Sequence, residues 1–381
     1  MTSKCRVVAG GRRMTNHRQN EFRPRVGPGD SHLAAHLFEP TRMTLARELR
    51  GLKKAELAAK INRTPSAISQ FESGRARPDA QTLAALSLAL RVPLAFFATP
   101  PVIGTLALDA CHFRSLRSAT QMDRRRLLAS ASITSELVNL LEEEVEMPSE
   151  QVSAVARMAH GADAIEECAS EVRLTWSLGL GPIPNLVRLL ESKGIVVAHV
   201  PEECREVDAF STWCGTRPFI FLVSESGSAS RMRFDSVHEL GHLVMHADVA
   251  PGNAEAERDA NRFASAFLLP KEPFLAECPR WLNFEHLYEL KRRWGVSVAA
   301  LVRRAYDLGV FSEATYRRAF VRLNKTGERY NERNEPAPEA PTLIAKALQA
   351  LSGDKSLDEL AGDIGLRGDD LRALLVSSGV A

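Results

Sequence analysis

The stretch ArgPheAspSerValHisGluLeuGlyHisLeuValMetHis (233–246) decides how the larger part of this chain is read. Val237, Leu240, Leu243, Val244 and Met245 make it an apolar helix, and His238 and His242 fall four residues apart on one of its faces. Two imidazoles one turn apart can hold a single Zn2+ ion. Glu239 is the adjacent carboxylate that general-base activation of water requires. His246 lies a further turn along and drifts off that face, so it reads as a core or surface histidine rather than a ligand.

The next helix supplies the third ligand. GluArgAspAlaAsnArgPheAla (257–264) is amphipathic and runs to LeuLeuPro (268–270). A carboxylate from Glu257 would complete a His2Glu set and leave a fourth position for water. Glu255 and Asp259 are the alternatives, and a solvated helix residue is the plain reading of all three. Asn261, one turn after Glu257, is expected to steady a ligand histidine by hydrogen bonding. Upstream, GlyIleValValAlaHisVal (194–200) and ArgProPheIlePheLeuVal (217–223) predict two short strands. Asp208 and Ser211, between them, read as a strand-edge turn or as groove-lining polar residues.

A second constellation lies near the start. LysLysAlaGluLeuAlaAlaLysIle (53–61), AsnArgThr (62–64) and ProSerAlaIleSerGlnPheGlu (65–72) predict two short helices joined by a tight turn. Leu57, Ala58, Ile61, Ile68 and Phe71 would face inward; Thr64 caps Pro65, and Gly74 can close the second helix in a left-handed conformation. Thr64, Ser66, Ser69 and Gln70 then form a DNA-facing set whose short polar side chains can reach base edges in the major groove. Arg75 and Arg77 sit where they can neutralise phosphates. Lys53 and Lys54 oppose the dipole of the helix they begin; a DNA phosphate would relieve this, so Lys54 is read as a phosphate contact.

The bulk numbers agree with such a division. At 381 residues, 45% apolar and 25% charged, the chain is a globular protein of two or three domains. Its six cysteines are scattered without a CxxC pair, which excludes a disulfide framework or a cysteine-rich metal site. No apolar run is long enough to cross a bilayer and the basic N-terminus lacks the apolar segment of a secretory signal, so no membrane partner and a cytoplasmic location are expected. A net charge of +2 leaves any nucleic-acid signal to be local. The expected partition is a disordered basic arm at 1–38, a helical DNA-binding unit at 39–99, a metal-binding unit at 104–335 and a small helical unit at 342–381, after a ProAlaProGluAlaPro linker (336–341). Ser356 is a plausible N-cap in the last unit. The only internal repetition is a faint echo of the N-terminal helix pair in 356–375.

Two resemblances follow from these residues. Residues 42–98 resemble the Cro/CI-like (XRE) helix-turn-helix family, whose Glu-x-Gly after the recognition helix stands here as Glu72-Ser73-Gly74. Residues 104–340 resemble the ImmA/IrrE family of metallopeptidase-like proteins. The match is carried by 233–246 and 257–270, with support from 181–197, ValAspAlaPheSer (207–211) and 290–309. Together they imply a mainly α (α+β) protein: a five-helix helix-turn-helix domain, then a gluzincin-like helical domain with a small β-sheet. They also imply zinc held by the two motif histidines and the downstream glutamate, and, in some members, cleavage of a repressor protein. Three functions are consistent with this: a DNA-bound regulator with a zinc peptidase that cuts a repressor, or the chain itself near 100–118; a transcription factor whose zinc domain is a sensor or dimerisation module without proteolysis; and an antitoxin-type partner. All three need a double-stranded DNA operator, bound by a homodimer.

Overall fold

Five helices open the described chain: α1 (Ser31–His36), α2 (Pro40–Leu49), α3 (Lys54–Lys60), α4 (Pro65–Glu72) and α5 (Ala80–Leu90), followed by a 3-10 turn at Leu94–Ala98. The computed structural model describes residues 26–27, 29–100, 112–113, 120–200, 209–223, 228–246, 249, 252–328, 332–351 and 355–377. The basic arm expected over 1–38 lies outside the described residues up to position 25, and its last part is not irregular. Asp30 caps α1 through Leu33 N–H, Ala34 is buried, and Phe38 stacks on Phe97 at 6.5 Å. Two apolar side chains in this short stretch are enough to seat it on the end of the five-helix unit.

Beyond the joint come β1 (His112–Phe113), α6 (Gln121–Glu144), α7 (Ala162–Thr175), α8 (Leu186–Ser192), β2 (Val196–Val200), β3 (Ala209–Cys214) and β4 (Arg217–Val223). The arginines at the start of α6 are tolerated because Thr120 and Asp123 form a capping box ahead of them. A mainly helical second half follows, with α9 (Ala229–Met245), α10 (Ala254–Leu268), α11 (Lys271–Glu277), α12 (Phe284–Trp294), α13 (Val298–Asp307) and α14 (Glu313–Thr326). The described chain ends with α15 (Leu343–Leu351), α16 (Leu357–Asp363) and α17 (Gly368–Ser377). Ser356 caps α16 by accepting from Glu359 N–H.

The small sheet is mixed. β3 and β4 form an antiparallel hairpin, β2 runs parallel to β4, and the two residues of β1 add antiparallel to the free edge of β3. Its pleat divides the molecule. Val197, Ala209, Ile220 and Leu222 join the core built around α7 to α14. Val196, Ala198, Phe210, Phe219 and Phe221 face the other way, into a core shared with the five N-terminal helices, α6 and α15 to α17. The apolar cores therefore do not follow the expected sequence partition, since α6 and the C-terminal helices bury their faces with the N-terminal unit. The proline-rich linker is also anchored: its Glu339 pairs with Arg233 and accepts from the backbone of Leu186 and Val187.

One ion pair crosses between α2 and α6. The Arg42 guanidinium donates to both oxygens of Glu136 at 2.9 and 2.8 Å, with both residues buried. Burial pushes the Glu136 carboxyl up to about 7, against the pull of Arg42. A raised carboxyl favours folding in its neutral form, so that contribution is complete below about 4.5 and is lost as pH rises through about 7. Arg42→Met would leave a lone buried acid. Its cost should be small at pH 5, where Glu136 takes a proton, and about 3–5 kcal/mol at pH 8; denaturant unfolding at the two pH values measures the difference.

Candidate functional site

The two motif histidines meet the glutamate of the neighbouring helix. His238 and His242 lie within α9, both buried, with their Nε2 atoms 3.1 Å apart. Glu257 reaches them from the first turn of α10, Oε2 standing 3.3 Å from His238 Nε2 and Oε1 3.4 Å from His242 Nε2. A tetrahedral zinc ion with bonds of about 2.0–2.1 Å would set neighbouring ligand atoms about 3.3 Å apart, so this donor set fits that ion in both type and spacing. Glu257 is the exposed member, at 23% for its side chain against 0% and 1% for the histidines, so the centre opens on its side.

Burial alone would raise the Glu257 carboxyl; hydrogen bonds from His238 and His242 and their charge overcome this and hold it at about 2. It is an anion throughout the neutral range, as a metal ligand must be. The alternatives go elsewhere. Asp259 is buried on the same helix, with His160 Nδ1 at 3.3 Å and Arg262 at 3.6 Å, and Glu255 stands with His160 and Asp259 in a second acidic group.

Close packing of α9 on α10 makes the meeting geometrically feasible. Gly241, between the two histidines, leaves room that a Cβ would take: it would come 3.1 Å from Phe263 Cδ1 and 3.3 Å from Ala260 Cα. Ala260, Phe263, Ala264 and Phe267 bury the stripe of α10 that packs on α9, and Glu257 stands at the N-terminal end of that stripe, beside the histidines.

Two supports were not clear from the sequence. Ser211, on β3, is fully buried and its hydroxyl donates to Glu239 Oε2 at 2.7 Å, so it belongs to the site and not to a strand-edge turn. The signal was a hydroxyl at an inward position of a buried strand, on the same face as Ala209. Asp208 lies outside the described residues. His246 is buried behind the centre, its Nδ1 3.2 Å from His242 Nδ1. A ring partner on Nδ1 steadies the orientation of His242, whose Nε2 is the atom turned toward His238 and Glu257. Asn261 was expected on a ligand histidine; its amide instead donates to the Glu257 carbonyl at 2.7 Å, one turn back along its own helix. It adds a second donor to a carbonyl inside the first turns of α10, next to the ligand carboxylate.

In the N-terminal unit, Thr64 caps α4 by accepting from Ala67 N–H, and Ser66 and Gln70 are exposed on α4 with Ser69 half-buried beside them. Arg75 is exposed; Arg77 is exposed too but donates to the His36 carbonyl at 2.9 Å. Lys54 is paired within the protein. Its ammonium lies 3.0 Å from Glu72, whose carboxylate also accepts from Arg47 at 2.5 Å. Glu56 closes a hydrogen bond to the Lys53 backbone at 2.7 Å. The start of α3 thus receives its negative charge from within the protein, and no phosphate is needed to relieve it.

These elements define a helix-turn-helix unit followed by a metallopeptidase-like unit with a His-His-Glu centre. Comparison with family models agrees: residues 45–97 match the helix-turn-helix model and residues 190–306 match the IrrE N-terminal-like domain, a peptidase family. The chain carries both domains. A search of curated proteins found no match.

If Gly241 is what admits α10, then Gly241→Ala should weaken zinc binding at least tenfold while the helical circular-dichroism signal is retained, read by competition with a chelating dye.

Proposed function

We propose that the chain is a transcriptional regulator that binds an operator as a homodimer and carries a zinc-dependent endopeptidase acting on a repressor protein or on its own joint between the two halves. The convergence of His238, His242 and Glu257 carries this reading, together with Glu239, buried one residue along and held by Ser211. Bound there, zinc would polarise a peptide carbonyl and make water more acidic. Glu239 would take a proton from the attacking water and deliver it to the amide nitrogen as the C–N bond breaks. Ser211 positions Glu239 for that transfer by donating to its Oε2. Cleavage of the joint is supported by β1, since His112 and Phe113 pair with Ser211 and Phe210 on the strand that bears this serine. No helix among the described residues is long and apolar enough to cross a membrane.

On the DNA side, the exposed Ser66 and Gln70 with the half-buried Ser69 would meet base edges, Thr64 would flank them, and Arg75 would meet a phosphate. Gln70→Ala should relax sequence preference by about 1–3 kcal/mol at one base pair, whereas Arg75→Ala should weaken all sequences alike and lower the salt slope by about one. Binding to randomised duplexes at two salt concentrations separates these outcomes.

The peptidase role turns on one carboxylate. Glu239→Gln should keep one zinc per chain and full DNA affinity yet abolish cleavage, and Ser211→Ala should cost about 10–100-fold in rate. If the Gln variant regulates normally in cells, the metal centre is a sensor or a dimerisation element and the proteolytic reading fails.

A further inference from the structure

The faint echo in 356–375 is a full structural repeat. At an offset of 303 residues, α16 matches α3 in length, seven residues each, and α17 begins where α4 does. Leu57, Ala58 and Ile61 correspond to Leu360, Ala361 and Ile364, all buried, and buried Ile68 corresponds to buried Leu371. Glu56 and Glu359 close the same bond to the backbone three residues before them, at 2.7 Å in each case. The turns agree in backbone as well: Asn62 and Gly365 occupy the same position, both at positive φ, +52° and +74°.

The surfaces differ in sign. Residues 52–74 carry four cations (Lys53, Lys54, Lys60, Arg63) against two anions (Glu56, Glu72), a net +2. Residues 355–377 carry three cations (Lys355, Arg367, Arg372) against five anions (Asp358, Glu359, Asp363, Asp369, Asp370), a net −2. Where α4 offers Ser66 to a base, α17 offers Asp369, 94% exposed, and Asp358 nearby is 68% exposed. Non-specific DNA affinity comes from phosphate neutralisation, so a scaffold of net −2 lacks the term that brings such a module to a duplex. Arg367 and Arg372 are engaged by Asp370 and Asp369. The back of the repeat is also spoken for, because Gly365 is pressed so closely on Phe96 and Thr99 that a Cβ would lie 2.4 Å from Thr99 Oγ1.

We infer that the C-terminal helix pair is a second, charge-inverted helix-turn-helix that binds protein, and that its occupant is the basic DNA-reading surface of a second copy of this chain. The two surfaces have the same scaffold and opposite charge. Pairing through them and binding to DNA are mutually exclusive. This rests on the DNA-binding reading of α3 and α4 only for the competition with DNA; the self-association stands apart from it.

Sedimentation velocity on the full chain tests the pairing. The wild type should self-associate in 50 mM NaCl, with the dissociation constant rising at least tenfold in 300 mM NaCl. Asp358→Lys/Asp369→Lys, both at exposed positions, should abolish association, and mixing that variant with a Lys53→Glu/Lys60→Glu chain should restore it. A 20-base-pair duplex should displace this contact, so that the DNA-bound wild type sediments like the DNA-bound Asp358→Lys/Asp369→Lys variant. A chain that stays monomeric at low salt, or an association unchanged in the lysine variant, overturns the inference. So does a duplex that binds without displacing this contact, or a DNA footprint that shrinks when Arg367 and Arg372 are replaced by Ala. A duplex that fails to bind at all, with association and charge-swap rescue intact, faults the DNA reading and leaves the pairing standing.

Discussion

The metal centre depends on how closely two helices can approach. Two imidazole nitrogens 3.1 Å apart on α9 each meet one oxygen of the Glu257 carboxylate on α10, at 3.3 and 3.4 Å, and the backbone of α9 reaches α10 only because position 241 has no side chain. The rest of the site follows from that approach. Glu257 stands beside the imidazoles at the N-terminal end of the stripe that Phe263 and Phe267 bury, Glu239 is left on the side of α9 that faces β3, and Ser211 can then reach it. The ligands are fixed by packing, while the one exposed member marks the way in for water and substrate.

The sequence made this centre legible because its chemistry is local. An i, i+4 histidine pair and a glutamate at the head of an amphipathic helix are visible as spacings, and both helices formed where periodicity put them. Residues whose role depends on tertiary contact were not legible. Ser211 gains its meaning from a helix 28 residues on, and His246 from the rotation of α9 about its own axis. The ion pair of Lys54 was not legible because the anion that meets it, Glu72, comes from the end of the next helix and could not be seen at the start of this one. The same limit applies to domain boundaries. The stretch 336–341 looks like a linker in composition, yet the apolar faces of α2, α6 and α15 pack together across it. The repeat at 356–375 was faint in sequence because only its buried positions are kept; its exposed positions, which carry most of the letters, have changed sign.

Charge and packing divide the work between the halves. Apolar continuity joins the DNA-reading unit to α6 and the C-terminal helices, and among the described residues the buried ion pair of Arg42 and Glu136 is the clearest specific contact across the joint. A paired charge in such a place contributes little net stability but strongly disfavours any arrangement in which its partner is missing. It therefore restricts the angle between the halves more than it strengthens their association.

The sheet is a wall with a different tenant on each side. Ile220 and Leu222 of β4 serve the metal-binding core, and Phe219 and Phe221, alternating with them along seven residues, serve the DNA-binding core. Neither half can be excised as a bead from a string, because removing one uncovers a row of phenylalanines or aliphatics that water will not accept. The ancestry of such a chain is then not simple end-to-end joining of two finished proteins: once the strands acquired apolar side chains on both faces, each half became part of the other's interior, and the pair must be inherited, folded and degraded as one.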